Sequence, residues 1–314
     1  MGVFLGIDTS NYTTSMAVCD SNGILLNEKI LLEVKEGERG LRQSDAVFSH
    51  INNLPTVAER IGVQDIVAIG VSSKPRDIEG SYMPCFKTGE SFADSLGSIV
   101  GVPVFKFSHQ NGHVCAAAYS AERMDLLQRK FNAFHVSGGT TEILLCDGRD
   151  GHLKIENIGG TLDLNAGQAI DRTGVLLGLK FPCGPALEQI ALGGRLPEKP
   201  KVCVKGLNCN LSGLENKVIK FKDMGVSPED IAFYALKYVE MTLDKLTENL
   251  RTVYNLPIIF AGGVMSNGAI KKALSKYEDS YFAERAFSAD NAAGIALLAR
   301  EAYFKSKKAN ESEG

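Results

Sequence analysis

The sequence lacks the features that mark several special classes of protein. It contains no tryptophan, and no stretch approaches the ~20 apolar residues that a membrane-spanning helix needs. The N-terminal segment MGVFLGIDTS lacks the basic region and the long apolar core of a signal peptide. Charge of either sign is not in excess, because 34 basic and 37 acidic side chains leave a formal charge of −3. We therefore expect no membrane association and no general electrostatic attraction to nucleic acid.

The cysteines are few and scattered. There are seven, their spacing is irregular, and no two form a Cys-x-x-Cys pair. This pattern argues against a disulfide framework and against a thiolate zinc site. Reduced, buried thiols are typical of a reducing compartment, so we expect the protein to be cytoplasmic.

What is present is an ordinary globular composition with one repeated device. The 314 residues, 44% apolar and 23% charged, are enough for two lobes. Two strand–turn–strand hairpins are predicted at residues 3–18 and 131–146, each with small or hydroxyl residues in its bend. Such bends hold phosphate oxygens in some proteins, although a glycine turn is more often only a turn. Further strands are predicted at 65–73 and 103–109, and helices at 51–62, 92–101, 111–122, 164–179 and 228–254.

A pair of histidines is the strongest chemical signal. The segment SHQNGHVCAAA places His109 and His113 four residues apart, which puts both imidazoles on one face of a helix. Asp290, before an apolar helix, is a candidate third ligand, although an aspartate there is more often a helix N-cap. Two histidines and one carboxylate leave open positions on iron or zinc, which suits activation of a substrate oxygen.

Two glycine turns are candidates for a nucleotide site. The first, HVSGGTTE (135–142), follows a strand, and its glycines allow a phosphate to approach the backbone closely. The second, FAGGVMSNGAI (260–270), places Gly262 and Gly263 where adenine could lie, and Asn267 where it could bond ribose or base. Asp171 and Gly184 complete the set. Close packing of strand on helix explains a glycine pair equally well, and an isolated aspartate is more often a surface carboxylate.

Taken in order, the motifs resemble a known family. HQNGH, VSGGTTE, NAGQAIDRTGVLLGLKFPCGPALE, NLSGL, AGGVMSN and DNAAGIA are similar to those of the threonylcarbamoyl-transferase family, formerly called O-sialoglycoprotein endopeptidases. Family members take part in making threonylcarbamoyladenosine in tRNA. The resemblance runs from residue 3 to about residue 300. It implies an α/β fold of the actin/Hsp70-like ATPase superfamily, with two RNase H-like lobes around a nucleotide cleft.

The resemblance also implies lobe boundaries and site residues. The N-terminal lobe would span 1–128 and be completed by a helix at about 291–306, the C-terminal lobe would span 129–290, and 307–314 would be a disordered tail. His109, His113 and Asp290 fall on the family's ligands for one divalent metal, iron or zinc. The nucleotide-contacting loop falls on His135, Val136, Ser137, Gly138 and Gly139, and the substrate or ribose contacts fall on Asp171, Gly184 and Asn267. The implied ligand is ATP or an acyl-adenylate. The acyl group of the adenylate would pass to an adenine amine of tRNA.

The departures from the family pattern lie on the acceptor side. The family's first hairpin carries an acidic pair where this chain has Tyr12 and Thr13. Thr140 replaces a family histidine, and SSKPRDIEGSYMPCF (72–86) replaces a small-residue stretch, which introduces Lys74 and Arg76. We therefore interpret the chain as a divergent paralogue whose acceptor substrate differs from, or is the same as, that of the family.

Two other functions remain open. One is transfer of a plain carbamoyl group to a small molecule, with Lys74 and Arg76 holding an anionic acceptor. The other is a non-catalytic, nucleotide-binding subunit of a tRNA-modification complex, suggested by the missing acidic pair. Proteolysis is disfavoured, because the histidine pair lacks the glutamate of HExxH. We expect the protein to contact tRNA through partner proteins. We also expect it to form a homo- or hetero-dimer.

Overall fold

A computed structural model of the chain describes residues 2–10, 12–33, 41–62, 65–149, 152–288 and 292–312. The chain forms two compact units. Unit 1 combines Met1–Tyr119 with Ala289–Gly314, and unit 2 is Ser120–Ser288. The boundary between the units falls after Tyr119, whereas the sequence analysis places it after residue 128. None of the helices in the described part of the chain has the length and apolarity that crossing a bilayer requires.

Unit 1 is built on a five-stranded sheet. Its strands are β1 (Val3–Ser10), β2 (Thr13–Cys19), β3 (Ile24–Leu31), β4 (Ile66–Lys74) and β5 (Val104–Ser108), in the order β3-β2-β1-β4-β5. β1 and β2 are antiparallel, which confirms the first predicted hairpin, and β4 and β5 continue the sheet parallel to β1. The carboxyl ends of these parallel strands therefore lie at one edge of the sheet.

Helices α1 (Gln43–Ile61), α2 (Pro84–Val100) and α3 (His109–Ser120) belong to the same unit. α1 ends where the sequence predicts, because Gly62 takes the left-handed conformation (φ 52°) and its N–H bonds the carbonyl of Ala58. Both α1 and α2 begin earlier than predicted. Their apolar side chains cover one sheet face, where Ile7, Val18 and Ile69 are buried.

Unit 2 is built on a seven-stranded sheet in the order β12-β11-β6-β7-β8-β10-β9. The hairpin of β6 and β7 is antiparallel, as predicted for 131–146. The strands are β6 (Lys130–Val136), β7 (Thr141–Asp147), β8 (Lys154–Thr161), β9 (Cys203–Lys205), β10 (Asn208–Asn210), β11 (Ile258–Ala261) and β12 (Ser280–Phe282). The helices are α4 (Ala166–Leu176), α5 (Gly184–Ala191), α6 (Ser212–Asp223), α7 (Pro228–Val253), α8 (Gly268–Leu274) and α9 (Arg285–Ser288).

Hydrogen-bond caps mark where two helices of unit 2 begin, one from a neighbouring residue and one from a remote residue. The long helix α7 starts after Ser227, whose hydroxyl accepts a hydrogen bond from the Asp230 N–H, and Pro228 occupies its first turn. α6 is capped from a distance by Asp163, whose carboxylate accepts hydrogen bonds from Leu211 N (2.8 Å) and Ser212 N (3.2 Å). Burial alone would raise the pKa of Asp163, but the hydrogen bonds from Ser212, Leu211 and Leu164 hold it below its usual range.

The last helix, α10 (Ala293–Ser312), returns the chain to unit 1 and continues past residue 306 into the segment expected to be a disordered tail. It packs directly on the backbone of β1 and β4. A Cβ at Gly6 would lie 2.4 Å from Ala296 N, and one at Gly70 would lie 2.7 Å from the Ile295 carbonyl oxygen. Glycine is therefore required on both strands for this helix to dock.

Candidate functional site

The histidine pair of unit 1 lies where β5 passes into α3. His109 is the first residue of the helix and His113 follows one turn later. Their Nε2 atoms are 2.8 Å apart, and the two rings meet edge to face with centroids 4.3 Å apart. The helical spacing thus brings the two imidazole nitrogens together, as the sequence predicts.

Asp8 supports this pair from the carboxyl end of β1. Its Oδ1 lies 3.1 Å from His109 Nδ1, and the side chain is fully buried. The other carboxylate oxygen, Oδ2, is buried and has no hydrogen-bond partner among the described residues. A carboxylate behind the distal nitrogen of a histidine is the usual support of a metal-binding imidazole, because it fixes the tautomer and the ring orientation. The sequence reasoning did not select Asp8; the available signal was an acidic residue directly after a buried strand.

The chemistry of these residues fits a divalent metal ion. Nδ1 of His109 lies against Asp8 and its Nε2 faces Nε2 of His113, and imidazole nitrogen is a good ligand for both zinc and iron. Within the described residues, no group of three or more His, Cys, Asp or Glu side chains is arranged to hold a metal. Asp290, the predicted third ligand, lies outside the described residues.

The hairpin of unit 1 carries a different polar network from the one the family pattern implies. Thr14 Oγ1 lies 2.8 Å from His50 Nδ1, and Asn53 donates to the same hydroxyl at 3.3 Å. Burial lowers the pKa of His50, so this imidazole is neutral near pH 7. At the positions of the acidic pair, Tyr12 is 40% exposed and Thr13 is buried.

The loop that replaces the small-residue stretch is attached beside the histidine pair. The carbonyl of Pro75 accepts a hydrogen bond from Gln110 N at 3.1 Å, directly after His109. Lys74 forms an ion pair of 2.6 Å with Asp77, so its charge is already balanced within the loop. Arg76 is exposed. Lys74 and Arg76 are the two cations suggested to bind an anionic acceptor. Lys74 would have to release Asp77 before it could bind that ligand.

The first glycine turn of unit 2 is held by the start of α4. Ser137 N donates to the Thr140 carbonyl at 2.7 Å, which closes the turn, and Gly167 N donates to the Ser137 carbonyl at 3.1 Å. Val136 is fully buried and His135 lies within β6, paired with Glu142 of β7. Of the five residues in the predicted loop, Ser137, Gly138 and Gly139 are therefore the ones that form the turn.

A cavity of about 310 Å³ brings together five of the ten residues predicted to bind substrate or nucleotide. We call it the nucleotide cavity, after the ligand that the sequence analysis expects at these five residues. Its apolar wall includes Ile170, Phe181 and Leu236, which suits the faces of a purine ring. His135, Val136, Ser137, Gly139 and Gly262 are not in its lining. The predicted residues that do line it are Gly138, Asp171, Gly184, Gly263 and Asn267.

The glycines of this region fall into two groups. At Gly138, Gly184 and Gly263 an added Cβ would meet no atom of the described residues within 4 Å, and none of the three has a positive φ. Neither backbone conformation nor packing against the described residues requires glycine there. Gly262 is different, because its φ is 102° and a Cβ would lie 2.2 Å from the Val136 carbonyl oxygen. The first group leaves room for a ligand, whereas Gly262 allows two backbone segments to approach.

The polar groups of the cavity are partly committed to the fold. Burial raises the pKa of Asp171, although its Oδ1 accepts a hydrogen bond from Cys183 N at 2.8 Å. The side-chain oxygen of Asn267, Oδ1, caps α8 by accepting hydrogen bonds from Ala269 N and Ile270 N, which leaves the side-chain nitrogen, Nδ2, as the group available to a ligand. Arg285 also lines the cavity, and the sequence reasoning did not select it.

Solved structures place this architecture among the actin/Hsp70-like ATPases, so the predicted fold class is confirmed. Full-length HypF in its phosphate- and nucleotide-bound form superposes with a TM-score of 0.58 at 13% identity, over 96% of this chain and 55% of that chain. The ADPNP-bound activator of 2-hydroxyisocaproyl-CoA dehydratase from Clostridium difficile gives 0.52 at 13% identity, over 98% and 97% of the two chains. These similarities define the class of fold to which the two units belong.

Sequence comparison assigns the family. Residues 46–297 match the TsaD family, described as tRNA N6-adenosine threonylcarbamoyltransferase. The enzyme of that name from Thermosipho africanus (strain TCF52B) is 31% identical over 96% of this chain and 95% of its own length. The one from Nanoarchaeum equitans (strain Kin4-M) is 30% identical over 85% and 81%. The chain belongs to the tRNA N6-adenosine threonylcarbamoyltransferase family, which confirms the resemblance and makes it an acyltransferase.

Proposed function

We propose that the protein transfers a threonylcarbamoyl group from an acyl-adenylate to the N6 amine of an adenine in tRNA. The observation that carries the proposal is the nucleotide cavity of unit 2. Gly138, Gly184 and Gly263 each leave a space there that no described residue fills. Membership of the transferase family supplies the reaction type.

The adenylate part of the donor occupies the nucleotide cavity in this proposal. The purine lies against the apolar wall beside Gly263, and the ribose hydroxyls bond Asp171 and the amide nitrogen of Asn267. The phosphate lies at the turn of Ser137, Gly138 and Gly139, where exposed backbone at the glycines permits close approach. This arrangement fixes the donor before transfer, which is how positioning contributes to rate.

The metal is assigned to the histidine pair of unit 1. His109 and His113 would hold one divalent ion, iron or zinc, with Asp290 proposed as a further ligand and Asp8 orienting His109. When bound, such an ion would supply a Lewis acid that can polarise a carbonyl oxygen. Measuring the metal content of the purified protein decides between iron and zinc.

The transfer itself is a substitution at a carbonyl carbon. The N6 nitrogen forms a bond to that carbon, the bond from the carbon to the phosphate oxygen breaks, and AMP leaves with the bonding electrons. The amine loses one proton to solvent. The chain contributes by holding the donor at the glycine turn and by positioning the acyl group.

A second candidate is transfer of a plain carbamoyl group to a small anionic molecule. The loop that carries Lys74 and Arg76 favours it, because Pro75 fixes this loop to the residue after His109. The acceptor would displace Asp77 from Lys74. Carbamoyl phosphate and ATP, supplied without tRNA, would then be consumed.

The test combines the purified protein with an enzyme that generates threonylcarbamoyl-adenylate and with unmodified tRNA. We expect modified adenosine, detected by mass spectrometry of the nucleosides. Gly263→Val, which fills the cavity, should abolish the product. Gly213→Ala is the control, because the atom nearest to its Cβ position, the Tyr238 hydroxyl oxygen, is 3.7 Å away, an ordinary contact, and this glycine lies outside the cavity. Unmodified tRNA under conditions where a standard family member works would refute the proposal.

Loss of both metal and nucleotide binding would instead identify a non-catalytic subunit. We further propose a cytoplasmic location, supported by seven free cysteines of which six are buried. Contact with tRNA is proposed to depend on partner proteins or on a dimer, since the net charge of −3 does not favour RNA.

A further inference from the structure

A groove of about 440 Å³ lies between α4 and α6 of unit 2, and we call it the helical groove. Its lining residues on α4 run from Gln168 to Leu176, and those on α6 run from Glu215 to Ile219. On each helix they follow one another in steps of three, four or one position, so they lie along a single face. The groove shares an edge with the nucleotide cavity, because Asp171 and Phe181 line both.

Apolar side chains of the groove are left open by the rest of the described chain. Val175 is 58% exposed, Phe181 is 75% exposed and Ile219 is 42% exposed. Val218, which also lines the groove, is buried and belongs to the core of unit 2. An apolar patch of this kind beside a ligand cavity indicates a binding surface, because a partner that covers it removes apolar area from water.

The ionisable groups of the lining disfavour a phosphate inside the groove. Arg172 Nη1 lies 2.6 Å from Glu215 Oε2, so these two charges balance each other. Asp171 adds a carboxylate at the edge shared with the nucleotide cavity, where its Oδ1 accepts a hydrogen bond from Cys183 N at 2.8 Å. An anion in the groove would meet this carboxylate while the lining arginine is already paired. The part of a ligand that enters the groove is therefore neutral.

Two lysines beside the groove supply positive charge. Lys222 follows Ile219 by one turn of α6, and its Nζ donates to the Leu176 carbonyl at 2.7 Å, which is a neutral acceptor. Lys180 is exposed and directly precedes Phe181. Neither lysine forms an ion pair with an acidic side chain of the described residues. Both charges are therefore available to an anionic group outside the groove.

A nucleotide of single-stranded RNA combines a neutral part with an anionic part in this way. Its base is uncharged and has two flat faces, whereas its phosphate is negative. Proteins bind unstacked nucleotides by stacking the base on an aromatic side chain and by pairing the phosphate with lysine or arginine. Phe181 is the aromatic surface here. Gln168 Oε1 accepts from Asn165 N at 3.4 Å, which leaves Nε2 as a donor to the edge of a base.

A helix of a protein partner is the other class of ligand that a groove between two helices can accept. Two observations favour RNA. The family's reaction modifies tRNA, so an RNA strand has to approach the donor, and the groove adjoins the cavity assigned to that donor. The charges of Lys180 and Lys222 are positive, which is the sign that a phosphate backbone requires.

We propose that the helical groove binds a nucleotide that flanks the acceptor adenine of the tRNA. Its base lies on Phe181, between Val175 and Ile219, and its phosphates lie at Lys180 and Lys222. The inference rests on the proposed function and adds the place where the RNA strand crosses unit 2. Two lysines attract RNA only weakly, so the groove positions the strand beside the donor, while partner proteins or a dimer supply most of the affinity.

The first experiment measures steady-state transfer to tRNA by Val175→Glu and Ile219→Glu. Both side chains are exposed, so a glutamate at either position leaves the core intact. We expect KM for tRNA to rise about tenfold in each variant, because a charge replaces the apolar surface under the base and repels the phosphates. The dissociation constant for a non-hydrolysable ATP analogue should stay unchanged, since neither residue lines the nucleotide cavity.

Val253→Glu is the matched control for these variants. Val253 is 62% exposed at the end of α7, and it lines neither the helical groove nor the nucleotide cavity. Its KM for tRNA should equal that of wild type. A rise as large as that of Val175→Glu would show that any added negative charge on unit 2 weakens tRNA binding, and would overturn the assignment to the groove.

The phosphate contact is tested through salt dependence. Lys222→Gln should lower the slope of log KM for tRNA against log salt concentration by about one, the effect of losing one phosphate contact. Lys272→Gln, which removes an exposed lysine of α8 outside the groove, should leave the slope unchanged. Equal slopes for the two variants would contradict a phosphate at Lys222.

Photo-crosslinking identifies what occupies the groove. Benzoylphenylalanine in place of Val175, irradiated in the reaction mixture with tRNA, should form covalent links to nucleotides beside the acceptor adenine, mapped by mass spectrometry. Links to a protein chain instead of RNA would overturn the proposal in favour of a protein partner or a second copy of the chain.

The outcomes separate the inference from the proposed function. Wild-type protein that fails to modify tRNA would overturn the proposed function and the inference with it. Transfer by wild type together with an unchanged KM in Val175→Glu and Ile219→Glu would overturn the RNA site and leave the proposed function standing.

Discussion

At the scale of single residues, two adjacent glycines have different reasons to be glycine. Gly262 has a positive φ and touches the Val136 carbonyl, whereas Gly263 has neither constraint and lines the nucleotide cavity. In the sequence they are an undifferentiated pair. The difference depends on which backbone segment lies opposite each one, and that segment is more than a hundred residues earlier in the chain.

Alanine substitutions should separate these two requirements. Gly262→Ala should lower the free energy of unfolding by roughly 2 kcal/mol or more, because the residue must adopt an unfavourable φ beside a carbonyl oxygen. Gly263→Ala should leave the melting temperature unchanged and weaken binding of an ATP analogue about tenfold. Thermal denaturation and calorimetric titration measure the two effects. Equal behaviour of the variants would contradict the assignment.

Asp8 allows a second test at this scale. Asp8→Asn keeps the shape of the side chain but removes the charge beside His109 Nδ1, so metal affinity should fall by about 10–100-fold. Metal content after dialysis against a competing chelator measures the change. Asp94→Asn, a surface substitution beside Lys106, is the control. Equal metal retention by both variants would show that Asp8 does not support the metal.

The histidine pair and Asp8 also show what sequence reasoning can reach. His109 and His113 were predictable because helical periodicity alone brings their side chains together. Asp8 is 101 residues from His109, and the two meet because β1 and β5 both run toward the same edge of the sheet. Arg285 gave no signal, because an isolated arginine in a short helix has no pattern from which a site can be inferred.

At the scale of secondary-structure elements, a remote carboxylate stabilises the start of α6. Asp163 bonds the N–H groups of Leu211 and Ser212 and the Ser212 hydroxyl, and a negative charge there also suits the helix dipole. The sequence shows no cap before α6, since Leu211 precedes it and Asp163 is 49 residues away. Elements with local caps, such as α7 after Ser227, were predicted well.

Asp163→Asn should therefore destabilise the protein by about 1 kcal/mol at pH 7. Since the pKa of Asp163 is lowered in the folded state, its stabilising effect is present above the unfolded pKa, near 4, and is lost as pH falls through the folded value. Urea denaturation of wild type and variant at pH 7 and pH 3 measures this. The difference should be smaller at pH 3; a constant difference would show that the charge is not involved.

At the scale of the whole molecule, the charge balance limits how RNA is bound. With a formal charge of −3, the isolated chain should bind tRNA no more tightly than about 1 µM at physiological salt. Filter binding across a salt series measures this affinity and its salt dependence. Tight binding with a steep salt dependence would reveal a basic surface that net charge conceals.

The order of the chain has a final consequence for how the molecule is made. The residues of unit 2 end at Ser288, whereas unit 1 needs α10, which docks on Gly6 and Gly70. During synthesis on the ribosome, unit 1 is therefore begun before unit 2 and completed after it. One face of its sheet remains uncovered until α10 has been synthesised. A nascent chain arrested before Ala293 should contain a folded unit 2 beside an incomplete unit 1, and that exposed strand surface is what a chaperone would need to protect.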